Sequence, residues 1–550
     1  MSDLSKTISR LDGDWLRLLG FEKAWQAVLN NKSLLIYLFV VGVIAYGADI
    51  FNFSLNIDSE NHAYEFGAKG GWVAQGRWGM YLLNSLLLPD SVMPFLPILL
   101  AVTGSVIGAV FFMRALAPER GVADYIAAPI AIACPVTYFA FYFTTLGYGG
   151  GVAFAVPGFG VFQLSRARWS SAVSAAVCFC FGIGIYQAVL PLIATMFGLC
   201  LISLIVNQPS TTTLKKLLQQ GGWFLFSILL GYMLYALINK LALHYEEIAY
   251  DAGYMSSFIN YQLTWDYFSQ ALDKTWPLAV NYYTGGEDYY LYDLLSLKLL
   301  FLFTATVIFL RIVFAQVGWL LRVAALLLFF FVIAAPMAMH LLNNGYMPPR
   351  TVMGVPQVLA GLVFFAMSSR SKIVQSITAL LAFACLYNFS VANNRFAFSN
   401  YMVWQADREL SGKLQDKINE VLPKVAPVND PFGVYPMEIV GWIEYPDTPI
   451  FTQREVIGAS FYKWAAGDVE RTERLFRTMG VMRYRAATRA ERLTVIEQAK
   501  TMPSWPYAGS VDVINGIIVI KFREYNPNQL MVICQPPNDV TDICKAHSPH

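Results

Sequence analysis

Apolar residues in this chain collect into long runs instead of alternating with polar ones, and from about residue 33 to residue 392 the runs recur at roughly the length of a membrane span. Runs of about 18 or more apolar residues predict helices that cross a bilayer. Their boundaries fall near 33–52, 92–114, 122–143, 149–165, 171–188, 189–206, 221–243, 294–314, 318–341, 351–369 and 372–392, which makes about 11 spans. Residues 171–206 form one block of about two span lengths, divided here near Pro191. The stretch 78–91, WGMYLLNSLLLPDS, is too short to cross and is predicted to lie along the interface. Ahead of the first run, residues 13–29 alternate apolar and charged at helical spacing, with Trp15, Leu18, Leu19 and Trp25 on one face. That pattern predicts an amphipathic helix on the membrane surface. The run 33–52 is too long for the apolar part of a signal peptide and lacks a small-residue cleavage site, so it is expected to stay as the first span.

Beyond about residue 395 the pattern changes. QADRELSGKLQDKINEVL (405–422) and VERTERLFRTM (469–479) read as polar helices. GSVDVINGIIVIKF (509–522) places Asn515-Gly516 between two β-branched runs, a hairpin signal. Residues 395–550 are therefore expected to form a C-terminal α+β domain, and a chain of about 150 residues can build its own core. The expected organisation is a segment 1–32, a transmembrane domain 33–394 with outer loops 53–91 and 244–293, and this tail.

Composition agrees: 56% of residues are hydrophobic and 14% charged, against roughly 25% charge in soluble domains. No basic stripe interleaved with aromatics points to nucleic acid. Orientation follows from local cations. With the N-terminus inside, Arg114 and Arg120, Arg166 and Arg168, Lys215 and Lys216, Arg311 and Arg322, and Arg370 and Lys372 all fall on the inner side, and the tail falls outside. Counting 171–206 as a single span would reverse the later loops and break that agreement. Cys534 and Cys544 of the tail either bridge, as an oxidising compartment allows, or stay as two thiols. The other five cysteines, Cys134, Cys178, Cys180, Cys200 and Cys385, fall in spans as small packing residues.

Candidate chemistry gathers just after the first span. LNIDSENHAYEFG (55–67) holds Asp58, Glu60, His62 and Glu65. If extended, Asp58, Glu60 and His62 share a face; if helical, Asp58, His62 and Glu65 do. Either way a carboxylate sits beside a histidine at the membrane surface, where a partly dry site tunes it as a general base. A plain solvated acidic loop is the alternative. The segment runs on to GGWVAQGRWGMYL (70–82), where Arg77 and Trp78 suit headgroup anchoring or a phosphate. Between the ninth and tenth spans, LLNNGYMPPRTVMG (341–354) sets Arg350 behind a stiff Pro348-Pro349 turn, against the inner bias of cations. NYYTGGEDYYLYD (281–293) offers Tyr282, Tyr283, Glu287 and Asp288 in a pattern that fits sugar recognition or an aromatic belt. Lys240 and His340 are candidate cavity residues, with snorkelling as the alternative for Lys240. GYGGG (147–151) lacks the Lys-Ser/Thr of a phosphate loop, and no HExxH or CxxC spacing signals a metal.

A first span, an outer acidic word and a stretch ending in QGRWG, together with the tail segment MPSWPYAGSVDVINGIIVIKF (502–522), resemble the bacterial type II glucosyltransferases, the Gtr-type serotype-converting enzymes of O-antigen. The resemblance implies a GT-C-like, cofactor-free enzyme of the bacterial inner membrane. It would take glucose or a related hexose from an undecaprenyl-phosphate carrier and pass it, with inversion, to a sugar of lipid-linked O-antigen in the periplasm. A polyprenyl-phosphate glucosyl synthase and a flippase would act as separate partners in the same membrane. An acid of the first outer loop serves as base in such enzymes, a position held here by Asp58 and Glu60, with His62 as orienter. The spelling DSE departs from the adjacent acids of many relatives and leaves open which of the two is the base. Arg350 with Arg77 would then stabilise the departing phosphate.

Other classes fit less well. A transporter or lipid flippase is expected to carry ionisable residues mid-span and repeated halves, and neither is evident. An O-antigen polymerase or aminosugar transferase would use the same acid-plus-arginine set. A sensor would need a cytoplasmic output domain, and the sequence offers none.

Overall fold

The structure is a computed structural model describing residue 26 and residues 28–64, 68–87, 93–119, 121–143, 147–166, 168–252, 264–345, 347–422, 434–481 and 483–534. Most of the predicted 13–29 helix, Glu65, Arg120 and Cys544 lie outside the described residues, as does the side chain of His62. The chain divides into two compact units: Met1–Phe51 with Gly67–Arg395, and Asn52–Phe66 with Phe396–His550. The predicted loop 53–91 is thus shared between them.

The first unit is built of helices. Among the described residues of the chain, six helices are long and apolar enough to cross a membrane, or seven if the bent pair Val122–Ala133 and Pro135–Phe141 is one span, and the last of them, Lys372–Val421, runs on into the second unit. That pair turns by 50° at Cys134, where Pro135 supplies no N–H to continue the ladder. Shorter apolar helices occupy Lys32–Ala45, Trp169–Ile185 and Val355–Met367. The block 171–206 does separate into two helices, Trp169–Ile185 and Val189–Asn207, with Pro191 in the first turn of the second, where a missing N–H costs little. Helix Leu214–Tyr245 leaves Leu225, Leu229, Met233, Leu237 and Leu241 exposed along one side, as a lipid-facing helix must. Helix Trp265–Thr284 likewise exposes Trp265, Phe268, Leu272, Trp276 and Val280 on one face.

Close helix approach explains the glycine-rich GYGGG. Helices Leu96–Leu116 and Gly147–Leu164 meet at Gly104, Gly108 and Gly151, and a Cβ on Gly104 would stand 2.5 Å from the Gly151 carbonyl carbon. Small residues four apart are how helices pack backbone to backbone in lipid. Cations assigned to the inner loops are tied to helix ends. Arg114 pairs with buried Asp124, and Arg311 donates to the Phe365 carbonyl at 2.5 Å and to Asn207 Oδ1 at 3.1 Å.

The second unit centres on a four-stranded sheet of order β2-β1-β4-β3. The strands are β1 Tyr435–Val440, β2 Tyr484–Ala486, β3 Val511–Ile514 and β4 Ile517–Lys521. β1 runs parallel to β2 and β4, while β3 and β4 form the antiparallel hairpin predicted at Asn515-Gly516. Both turn residues have positive φ, 52° and 80°, as a two-residue hairpin of this kind demands. Alternation of side chains gives the sheet two covered faces. Met437, Ile439, Ile518 and Ile520 pack with Leu414, Ile418, Leu475 and Phe476 on one side. Val440, Ile517 and Val519 pack on Val495 and Ala499 of helix Arg489–Thr501 on the other. Leu55 and Ile57, at strand spacing, belong to the first of these cores. Helix Lys372–Val421 contributes Asp407 to this unit, where its buried carboxylate accepts hydrogen bonds from Ser460 Oγ (2.6 Å), the Phe461 N–H (2.9 Å) and Tyr445 Oη (3.0 Å). Cys534 is disulfide-bonded, and the five cysteines of the helical unit are free and buried.

Candidate active site

The acidic word is neither wholly extended nor wholly helical. Leu55 and Ile57 are pulled into the core of the second unit, so the chain is pinned up to Ile57. It then turns, and the short helix Ser59–Tyr64 begins. The residue at the turn is Asp58, with φ of +71°. A left-handed backbone costs a residue with a Cβ about 1–3 kcal/mol, least for Asn and Asp, and such strain gathers at functional sites.

The turn brings Asp58 and Glu60 to one cation, Arg471 of helix Val469–Thr478. Arg471 Nη2 donates to Asp58 Oδ1 at 2.9 Å, and Nη1 donates to Glu60 Oε1. One planar guanidinium therefore bridges two carboxylates, as its fork geometry allows. Helix Val469–Thr478 is N-capped by Asp468, which accepts from the Glu470 N–H at 2.9 Å, and it buries Val469, Thr472, Leu475 and Phe476 against the sheet.

The two acids differ in environment. Glu60 is fully buried, whereas the Asp58 side chain is 40% exposed. Among the described residues Glu60 Oε2 is buried without a hydrogen-bond partner. Burial pushes the Glu60 carboxyl up to about 7, against the pull of Arg471. Among the described residues Asp58 accepts the Arg471 hydrogen bond through Oδ1, which leaves Oδ2 of this partly exposed side chain to its surroundings. An acid held by one oxygen, with the other available to a substrate, has the geometry of a general base.

The remaining candidates, His62 apart, belong to the helical unit. Arg77 follows Gly76, whose φ is +75°, and lies 5.2 Å from the Tyr186 ring centroid. Gln187 secures this turn, donating to the Gln75 carbonyl at 2.9 Å. Arg350 stands in a short 3-10 turn, Pro349–Thr351, over the face of Phe143 at 5.3 Å. Trp78 is buried with its edge toward Phe181, not presented at a surface. Tyr282 and Tyr283 are buried too: Tyr282 stacks on Tyr289 at 3.9 Å, and Tyr283 donates to the Ile333 carbonyl at 2.8 Å. Their faces are spent on packing, because helix Trp265–Thr284 turns them inward. Glu287, Asp288 and Lys240 are not buried, and buried His340 approaches the Gly345 carbonyl through Nδ1 at 3.3 Å. His62 lies on helix Ser59–Tyr64.

Arg471 was not among the sequence candidates. It stands in a helix already marked as polar, amid Glu470, Glu473, Arg474 and Arg477, and its partners are 411 and 413 residues away. Among the described residues, no cluster of three metal-ligating side chains occurs.

Compared with known proteins, residues 47–367 match the family described as Glucosyl transferase GtrII. No curated protein sequence matches the chain. The family match takes in Asp58, Glu60, Arg77, Trp78 and Arg350 and ends before the tail. It spans more than half of the 550 residues, and on that ground the chain belongs to the GtrII glucosyl transferase family.

Proposed function

We propose that this protein is an inverting glucosyltransferase that moves glucose, or a related hexose, from undecaprenyl phosphate to a sugar of lipid-linked O-antigen. Asp58 is the base in this reading. It takes the proton of the acceptor hydroxyl while that oxygen bonds to the anomeric carbon. The bond from the anomeric carbon to the phosphate oxygen breaks, and polyprenyl phosphate departs with the electron pair. Arg350 and Arg77, each held beside an aromatic ring, balance the charge that collects on the phosphate. One base and one displacement give inversion, without a covalent intermediate. Glu287 and Asp288 are assigned to sugar hydroxyls, Lys240 to a headgroup, and His62 to orienting the base. Trp78, Tyr282 and Tyr283 serve by packing.

The observation that carries this reading is the Asp58 carboxylate, partly exposed and gripped at one oxygen, in a chain of the GtrII family. Glu60, fully buried, is assigned the supporting role. The reaction belongs on the periplasmic side of a bacterial inner membrane, crossed by about 11 helices, with the N-terminus in the cytoplasm. The donor comes from a separate polyprenyl-phosphate glucosyl synthase and flippase. The test is transfer of radiolabelled glucose from synthetic undecaprenyl-phosphate glucose in membranes containing O-antigen acceptor. Asp58→Asn, which keeps the turn because Asn tolerates positive φ, should abolish transfer. Full activity in that variant would refute the base assignment.

A further inference from the structure

Family membership reaches only to residue 367 and gives the C-terminal unit no task. We propose that Arg471 is a positioning residue for the transfer reaction: it holds Asp58 by one carboxylate oxygen so that the other is presented to the acceptor, and so makes the C-terminal unit a working part of the enzyme. This rests on the reading of Asp58 as base.

Three features carry it. Asp58 sits at a left-handed turn, outside any helix or strand, so the backbone ladder does not fix its side chain. Arg471 does, by the 2.9 Å bond from Nη2. Second, the other arm of the guanidinium is anchored in Glu60, which is fully buried and follows closely on Leu55 and Ile57 of the core. The grip on Asp58 is therefore referred to the rigid interior of the unit. Third, Arg471 meets two carboxylates with one charge, one of them fully buried and the other partly exposed. The partly exposed one, Asp58, is the group able to meet a substrate. The charges acting on Glu60 are Arg471, Asp58 and Arg474, and Asp468 adds to the field at Arg471.

Without Arg471, two carboxylates two residues apart lose the cation they share, and one of them keeps a proton to higher pH. Loss of the cation should therefore alter how the rate depends on pH, which loss of a mere packing residue would not.

The experiment measures glucose transfer from synthetic undecaprenyl-phosphate glucose by the full-length protein in membranes, between about pH 5 and pH 9, for wild type, Asp58→Asn, Arg471→Met and Arg471→Lys. Arg471→Met should lower kcat by about 100-fold, leave the donor KM little changed, and move the acid limb of the profile to higher pH. Arg471→Lys keeps the charge but cannot fork to both acids. It should hold the acid limb in place and recover part of the rate. If Arg471→Met does not accumulate as folded protein, Arg471→Gln takes its place, with the same lowered kcat and upward movement of the acid limb expected. Wild-type kcat in the arginine variants overturns the inference, and so does a pH-independent loss that lysine does not relieve. Asp58→Asn inactive beside fully active Arg471→Met overturns this inference only. Active Asp58→Asn overturns the base assignment itself.

Discussion

Glu60 gives the sharpest physical test, because its charge is at odds with its surroundings. The substitution is Glu60→Gln, which keeps the shape and removes the ionisation. In the folded protein burial lifts the carboxyl from 4.5 to about 7, a difference worth about 3 kcal/mol. A raised acid binds its proton more tightly folded than unfolded. The corresponding stability is therefore present below pH 4.5 and lost as the pH rises through about 7. The amide of Glu60→Gln does not titrate and contributes no such slope. Asp407 and Glu438 are also lifted to about 7 by burial, but they act equally in both proteins and cancel in the comparison.

The assay is temperature-resolved limited proteolysis of the full-length protein in detergent, scored on peptides from 434–534. In a domain of this size 1 kcal/mol moves Tm by roughly 2–4 °C. Going from about pH 5 to pH 8, wild type should thus lose roughly 6–12 °C relative to Glu60→Gln. Parallel curves for the two proteins would refute the reasoning, since they would mean that Glu60 titrates alike folded and unfolded. A wild-type advantage that grows with pH would refute it from the other side, by showing that the pull of Arg471 exceeds the cost of burial.

Ile57→Ala should destabilise the second unit by about 2–5 kcal/mol, because it removes a fully buried side chain from the sheet core; the same proteolysis checks it, and a change below about 0.5 kcal/mol would contradict the assignment of this segment to that core. Gly151→Ala forces a Cβ against the Ala101 backbone and should cost about 1–3 kcal/mol, read as a lower yield of monodisperse protein on size-exclusion chromatography. Arg350→Ala should lower transfer by about 100-fold or more, with partial recovery in Arg350→Lys; unchanged transfer would remove Arg350 from the reaction.

What was legible in the sequence followed from local physics. Helices were legible where apolar length alone demands them, since a bilayer-length run leaves no other way to satisfy its backbone. The hairpin was legible because Asn515 and Gly516 are the residue types that accept the positive φ both adopt. GYGGG was half legible. The missing lysine excluded a phosphate loop, but the four-residue spacing of Gly104 with Gly108 and of Gly147 with Gly151 also carried a packing signal. The burial of Tyr282 and Tyr283 was not legible, since an aromatic-rich loop has the same composition whichever way its helix is turned.

Arg471 shows where local physics stops. At ~100° per residue, Val469, Thr472, Leu475 and Phe476 define one buried stripe of their helix. Positions 471 and 473 fall on its two flanks, while 470, 474 and 477 point away. Burial agrees: the Arg471 and Glu473 side chains are each 15% exposed, against 63% for Glu470 and 26% for Arg474. A helical wheel therefore separates two charged residues from a run that composition treats as one solvated face. It cannot say what they meet. Glu473 turns to the Ala486 N–H at 2.7 Å, a neighbour 13 residues on and a structural use. Arg471 turns to Asp58 and Glu60, which arrive because Leu55 and Ile57 are apolar at strand spacing and fit the same core. Each half of the pairing is written in its own segment, as a flank position in one and an alternating apolar pair in the other. Only the sheet on which both halves pack joins them, and a charged flank residue facing such a docked segment is where a positioning group is to be sought.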